Sequence, residues 1–559
     1  MCKKKWKKIE NRGIKTIRFK DSIFKDGDFI LFSTSDAINH NFRIFAARFE
    51  QQAMKPIRTL IFILSVIVIL GAGWYFFPAE GLAIGGLNLR FPSYADDSHP
   101  KQAEVDVDDV LSKVNQSFEM TVSDNLLDSM RFFRNYLKNN PNRIYLPNDD
   151  YTYFDPLFDL LEAAHDEGKT YRVMHYGDSQ IEMDRISSVL REKLQEHFGG
   201  SGPNMIPPVQ PVPTISVSQR SSGVMRYAVY GDATNQRAPH NRYGVMAQYG
   251  QVLGGGSVSF SQTSHSQAFE KAKAFSTVAV LLGRNSQGFT ATLKCDTMAT
   301  EPKVLDANDS VSLISWTLPA NIKRGTISFK GNAEIYAVML DGDAGVAVDN
   351  VSLRGCSGTI FTRMNEAVAR QAFDLLDTRL IILQFGGNRM PGIASPKNIT
   401  PYLAELENQI NYMKRVAPKA TLLFIGPADM GKSYNGKMGT WKNLPELNDS
   451  LRAMALRNDV AYWDMFNVMG GEGSMAQWVK HNPPMAGPDY VHFTFRGAQE
   501  IGSNLARSFT TYYDFYKMRQ HVPSKNVIEF VNLDARQDSI RTAGRLRLPH
   551  YQPYKTVKR

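Results

Sequence analysis

The sequence predicts an α/β protein built on a doubly wound parallel sheet, with an inserted all-β jelly-roll or sandwich domain and one N-terminal transmembrane helix. Three observations carry this reading. In residues 126–215, and again in 350–517, short apolar or β-branched runs alternate with stretches of helical periodicity, the order of a doubly wound sheet. Between them, residues 216–349 change texture to short alternating runs about a turn apart, the pattern of a sandwich or jelly roll. Residues 60–77 form an uncharged apolar run of 18 residues closed by Pro78, just long enough to span a bilayer.

Taken in order, residues 1–57 read as a basic cytoplasmic tail and 58–78 as a signal anchor. Before the apolar run lie 14 Lys/Arg against 6 Asp/Glu, which keeps the N-terminus cytoplasmic and exports the rest. Gly71-Ala72-Gly73 is formally a small-x-small cleavage site, but Trp74 to Phe77 continue the apolar run past it, which favours an uncleaved anchor. Met54-Lys55-Pro56-Ile57-Arg58 looks like the start of an exported protein. Translation from Met54 and a real basic tail both remain open, and N-terminal sequencing separates them. Residues 79–125, rich in Gly, Pro, Ser and Asp at first, read as a stalk.

The α/β domain then begins with helices at 126–136 and 156–164. A strand at 171–176 and a helix at 181–197 follow, placing Ser179 at a strand's carboxyl end and a helix N-terminus. The insertion contributes strand-like runs at 254–261, 275–282, 289–293, 311–316, 325–329 and 334–340. After Thr359, helix 361–376, strand 379–385, helix 401–416, strand 420–425, helix 445–457 and strand 459–464 alternate. A long loop over 470–488 precedes a closing helix at 496–513, and 518–559 read as a basic C-terminal extension.

Four segments carry chemistry. Gly177-Asp178-Ser179 sits where a reactive serine could be displayed, and Asp489-Tyr490-Val491-His492 supplies a base with an orienting acid. Arg354-Gly355-Cys356-Ser357-Gly358-Thr359 and Gln384-Phe385-Gly386-Gly387-Asn388 each follow a strand-like run. A glycine loop and an asparagine at strand ends are what an oxyanion hole requires. Together they indicate a serine hydrolase or acyltransferase.

The order Gly177-Asp178-Ser179, Gly358, Gly386-x-Asn388 and Asp489-x-x-His492 resembles the four blocks of the SGNH, or GDSL, hydrolase family. The resemblance covers roughly residues 130–215 and 350–515 and implies a flavodoxin-like sheet. It implies Ser179 as nucleophile, His492 as general base and Asp489 as its orienting acid. The oxyanion hole would be the N–H groups of Ser179 and Gly358 with the amide of Asn388, supported by Gly177, Asp178 and Gly386. The phrase from His175 to Gln180, with Leu190, Leu194 and the 198–202 glycine stretch, is similar to the peptidoglycan O-acetylesterase branch. An insertion between the first two blocks also occurs in that branch, where it resembles a carbohydrate-binding module. Arg389 departs from the family, which often has an acidic residue after the asparagine.

This resemblance implies an exported serine esterase that removes O-acetyl groups from a cell-envelope carbohydrate such as peptidoglycan. Two alternatives stand beside it: a polysaccharide O-acetyltransferase working with a membrane-bound O-acyltransferase, and a non-catalytic glycan-binding envelope protein. The expected partners are the acylated glycan and the inner membrane through residues 60–77, with the catalytic domain in the periplasm and a single pass through the membrane. The mechanism needs no cofactor and no metal. Nucleic acid is not expected either, because the net charge of +10 is concentrated at the termini: residues 1–58 contribute +8 and the tail from Met518 contributes +6. The N-terminal tract suits topology and anionic lipid instead.

Other residues carry expectations of their own. Cys2, Cys295 and Cys356 are too scattered for a disulfide framework, with a Cys295–Cys356 bridge and free thiols both open. Tyr227, Tyr230, Tyr243, Tyr249 and Trp316 either stack on sugar rings or pack the insertion. Asp178 bonds across its turn, His175 is packed in its strand, and Asp429 caps a loop. His197 and His481 have no evident partner. Met475, Trp478 and paired prolines make 470–488 a substrate-facing lip.

Overall fold

The computed structural model describes residues 105–116 and 126–532, apart from 232–234, 297, 319–320 and 523, together with segments 7–11, 14–18, 56–76, 82–84 and 87–89. Most of the tail 1–57, the start at Met54, Cys2, much of the stalk 79–125 and the extension beyond residue 532 lie outside the described residues. The chain divides into two units, Met1–Lys101 and Gln102–Arg559.

The first unit holds the helix Pro56–Phe76 and two antiparallel strand pairs, Lys7–Asn11 with Ile14–Arg18 and Leu82–Ile84 with Leu87–Leu89. Among the described residues no helix is long and apolar enough to cross a membrane. The expected transmembrane helix is therefore not supported by the fold.

The second unit is built on a six-stranded sheet. Its strands are β1 (Ile144–Tyr145), β2 (Thr170–Gly177), β3 (Gly345–Ser352), β4 (Thr378–Gln384), β5 (Thr421–Ile425) and β6 (Ala461–Trp463). The spatial order is β3-β2-β4-β5-β6-β1. All pairings are parallel except β6 with β1, so the sheet is mixed rather than wholly parallel. The two-residue β1 is too short to leave a periodic signal, and it covers the β6 edge.

Side chains alternate across β2. Tyr171 and Val173 face a core with Ile186, with Leu190 and Leu194 of helix Ser187–Phe198, and with Leu505 and Phe509 of helix Phe495–His521. Met174 and Tyr176 face the opposite core with Phe373, Ile410 and Leu451, from helices Glu366–Leu375, Ile399–Val416 and Leu444–Arg457. A sheet covered on both faces explains why its strands read as continuous apolar runs. The helix after β2 begins at Ser187, not 181. A 3-10 turn, Glu182–Asp184, comes first, with Met183 and Asp184 at positive φ, and Asp184 is locked by a buried ion pair to Arg191.

The insertion is an eight-stranded antiparallel β-structure whose strands are longer than the expected runs and enclose one core. Expected neighbours fuse into long strands: Thr277–Cys295 contains two of the expected runs, and so does Arg324–Asp341. Register shifts between Leu281 and Phe289 bend the first of these, so one strand turns a corner where two were expected. The sheet also starts earlier than residue 216, because Asn204–Ile206 pairs with Val338 to Leu340, and it ends before 349, because 345–352 is β3. Tyr230, Tyr243, Tyr249 and Trp316 are all buried, and Tyr227 is half-buried and stacked on Tyr249 at 5.3 Å. These rings are packing, not a sugar platform. Cys295 and Cys356 are free and buried in different cores, so no bridge joins them.

The insertion leaves and re-enters the α/β domain at one point. Val346 N–H donates to the Gly199 carbonyl at 3.1 Å. A Cβ on Gly200 would lie 2.4 Å from the Val346 oxygen, and one on Gly345 would lie 2.2 Å from the Gly199 carbonyl carbon. Only glycine permits the two backbones to approach this closely.

Candidate active site

The carboxyl ends of β2 to β6 share one rim, and the loops beyond them build the site, as open α/β sheets require. Beyond β2, which ends at Gly177, Asp178 is buried and folds the turn. Its Oδ1 accepts the Gln180 N–H at 2.9 Å and its Oδ2 accepts the Asn388 amide at 2.8 Å. Burial raises its carboxyl to about 6, against the lowering effect of the Gln180 N–H, His492, Asn388 and Arg185.

Ser179 Oγ lies 2.8 Å from His492 Nε2. His492 Nδ1 lies 2.7 Å from Asp489 Oδ2. The other carboxylate oxygen of Asp489 accepts the backbone N–H groups of Val491 and His492, each at 3.0 Å. Burial pulls Asp489 upward, but the hydrogen bonds from His492 and Val491 outweigh it and leave the carboxyl below its usual range. Residues 313 positions apart thus form a continuous relay from hydroxyl to carboxylate. In such a relay the serine proton passes to Nε2 while Nδ1–H donates to the acid.

The two oxyanion candidates are close by but engaged. Asn388 donates to Asp178 and also to the Cys356 carbonyl at 3.1 Å. The Gly358 N–H faces the Cys356 sulfur at 3.3 Å. Gly358 has φ +84°, and a Cβ there would meet the Phe385 ring at 2.8 Å, so glycine is required at this turn. Gly386 opens the turn that carries Asn388. A cavity of about 80 Å³ is lined by Ser179, His492, Asn388, Phe385, Pro427 and Met465 among others, and Gly358 is not part of its lining. The Arg389 guanidinium lies over the Tyr402 ring at 5.4 Å, and the Tyr402 hydroxyl donates to the Ser357 carbonyl at 2.7 Å. Arginine at this position therefore braces the glycine loop.

Ser179 does not sit at a helix N-terminus, since the helix starts eight positions later. Stabilisation of an anion must come from local N–H groups and the amide, not from a helix dipole. His175 is buried between Gln384 at 3.0 Å and the Ser187 hydroxyl at 2.9 Å, and burial depresses it to about 4. Asp429 is buried, accepts the Met475 N–H at 2.8 Å and is raised by burial to about 6. It caps the short helix Ser474–Lys480. Met475 and Trp478 are fully buried, with Trp478 packed on Phe493, so they anchor the 470–488 loop from beneath instead of facing substrate. His481 pairs with Asp108 at 3.2 Å, and His197 packs edge-on against Tyr513 at 4.7 Å.

Two residues at the site were not singled out by the sequence. Gln180 donates to the Val491 carbonyl at 2.5 Å and accepts the Phe493 N–H at 3.4 Å. Arg185 donates to the Phe493 carbonyl at 2.9 Å and to the Ser179 carbonyl at 2.7 Å. Together they clamp the histidine loop on both sides of His492 to the serine turn. Their partners on the histidine loop are backbone groups some 300 positions away, which leave no pattern in sequence.

Residues 324–500 match the GDSL-like Lipase/Acylhydrolase family. The chain carries an SGNH-type hydrolase domain. The matched span holds Gly358, Asn388, Asp489 and His492, while Ser179 lies before it. The fold is similar to a solved peptidoglycan O-acetylesterase, with TM-score 0.52 and 20% identity over 65% of this chain and 96% of that one. A carbohydrate esterase family 2 enzyme with a carbohydrate binding domain, from Corynascus thermopiles (Myceliophthora fergusii), matches at TM-score 0.23 and 12% identity, over 52% of this chain and 99% of that one. A family two carbohydrate esterase from Cellvibrio japonicus matches at TM-score 0.20 and 11% identity, over 56% and 100%. The likeness to the peptidoglycan O-acetylesterase is one of fold. No curated protein sequence matches the chain.

Proposed function

We propose that this SGNH hydrolase is an exported serine esterase removing O-acetyl groups from a cell-envelope carbohydrate such as peptidoglycan. The observation that carries the reading is the relay Ser179–His492–Asp489, at 2.8 and 2.7 Å, at the edge of a small cavity. His492 Nε2 takes the Ser179 proton as Oγ bonds to the ester carbonyl carbon. The tetrahedral oxyanion is held by the Ser179 N–H and by the Gly358 N–H and Asn388 amide once these turn from Cys356 and Asp178. Each such donor contributes about 3 kcal/mol. The C–O bond to the sugar then breaks, and His492 returns the proton to the leaving sugar oxygen. Water, deprotonated by His492, resolves the acetyl-serine to acetate and free Ser179.

A cavity of about 80 Å³ supports a short acyl group over a long chain. Export across the inner membrane is part of the same proposal. The uncharged run at 60–77 behind a basic flank supports it. Protease added to intact spheroplasts would digest residues 105–532 on this reading, and full protection would remove it.

The decisive experiment is acetate release by the purified chain from O-acetylated peptidoglycan and from a small acetyl ester, with Ser179→Ala alongside. Serine-dependent release from the glycan supports the esterase. Turnover only with an added sugar acceptor transfers the assignment to an O-acetyltransferase. Equal rates for wild type and Ser179→Ala leave a glycan-binding role.

A further inference from the structure

A shallow open groove lies away from Ser179, on the outer face of the inserted sheet, over Ser218, Arg220, Ser259, Lys294, Arg324 and Thr326. Four strands form its floor. Across them the register aligns Ser218, Ser261 and Arg324 in one row. Arg220, Ser259, Thr326 and Lys294 form the next, and Ser222, Ser257, Ser328 and Thr292 a third. The opposite face of the same strands is core, with Val258, Phe260, Leu293, Ile327 and Phe329 buried. Alternation along the strands therefore sends every one of these hydroxyls and cations outward.

Two properties separate this face from an ordinary wet sheet surface. The strand segments 217–228, 250–262, 289–295 and 324–331 contain no Asp or Glu at all, whereas solvent faces normally mix both signs. The flanking Asp296 is the one acid lining the groove, 3.8 Å from Arg324. Small hydroxyl residues also occupy the middle of the rows, with the Ser259 and Thr326 hydroxyls 2.9 Å apart. Arg220 and Lys294 stand on the two side strands, and Arg324 stands at the end of a central one. Three strand spacings separate the Arg220 strand from the Lys294 strand, a trough about 14 Å wide.

We propose that this trough binds a carboxylate-bearing polysaccharide. Hydroxyls on the floor exchange hydrogen bonds with sugar hydroxyls, Arg220 and Lys294 meet the carboxylates from the sides, and Arg324 meets them from the end of the floor strand that carries Thr326, the arginines in two-point contact. The trough holds a strand of glycan on a surface separate from the catalytic cavity, so the inference does not depend on Ser179 chemistry.

The test uses the full chain and three polymers of similar length: alginate, neutral dextran and polyphosphate, followed by affinity electrophoresis and calorimetry. Alginate binds and dextran does not. Arg220→Gln with Lys294→Gln weakens alginate binding by about tenfold or more, as loss of charge-assisted hydrogen bonds requires. Ser259→Ala with Thr326→Val, which changes no charge, weakens it severalfold, whereas Lys113→Gln on a distant exposed helix does not. Dextran binding as well as alginate overturns the proposal. So does polyphosphate binding as well as alginate with the floor variant unchanged, which marks a diffuse basic patch. Ser179→Ala binding alginate like wild type, with both proteins inactive on acetyl esters, removes the esterase reading and leaves this one standing.

Discussion

The two halves of the site are built differently. Ser179 follows a strand whose residues from Tyr171 onward are buried, and its turn is fastened by Asp178 beneath it. Asp489 and His492 sit on a loop, with side chains 52% and 37% exposed. What positions that loop comes largely from the other half: Gln180 and Arg185 reach across to the carbonyls on either side of His492. One half is rigid through burial, and the other borrows its rigidity. Precision at a catalytic centre needs only one side to be part of the core, provided that side carries the clamps.

Four experiments break or sharpen this contrast. Ser179→Ala and His492→Ala each lower kcat on an acetyl ester by about 10⁴-fold or more, since relay members act as a unit. Asp489→Asn, which keeps shape but loses the charge and fixes the wrong tautomer, costs somewhat less, about 10³–10⁴-fold. Arg185→Ala leaves the serine turn folded but frees the histidine loop. The expected loss is about 10–100-fold in kcat with KM little changed, the scale of misplacing a catalytic group by about an ångström. Arg185→Lys recovers part of it, and equal losses in kcat for Arg185→Ala and a distant surface variant would dissolve the contrast.

The smallest effect concerns the buried half and pH. Asp178 has an ordinary value of 3.8 and is raised by burial to about 6 in the fold. Folding favours its protonated form, so its contribution is fully present below pH 3.8 and is lost as pH rises through about 6. The loss is on the order of 1–3 kcal/mol. Asp178→Asn should flatten the urea midpoint over that interval, and an unchanged profile would place the titration elsewhere.

Much of this architecture is legible in the sequence, and the exceptions share a cause. The β2, β4 and β5 strands announce themselves because burial on both faces demands continuous apolar runs. Ser179, Asn388, Asp489 and His492 stand out because each chemistry needs its residue type at a strand end or loop. Single-sequence patterns do not show what lies between distant segments. The aromatic residues Tyr230, Tyr243 and Tyr249 carry no label that separates core from platform, and only the sheet's packing buries them. Trp478 fails as a lip residue for the same reason. Long strands that bend at bulges look like two short ones, because periodicity restarts at each register shift. The two-residue β1 and the clamps at Gln180 and Arg185 rest on pairing partners far along the chain.

The glycine contact between residues 199–200 and 345–346 has a consequence for synthesis. β2 emerges from the ribosome long before β3, its parallel neighbour, because the whole eight-stranded insertion is translated between them. At about 5–20 residues per second, the nascent chain holds an unpaired strand edge for roughly ten to thirty seconds. The insertion closes on itself in that interval and delivers Gly345 back to the point where the chain departed. The outer module is thus complete before the sheet that displays the serine can pair β2 with β3.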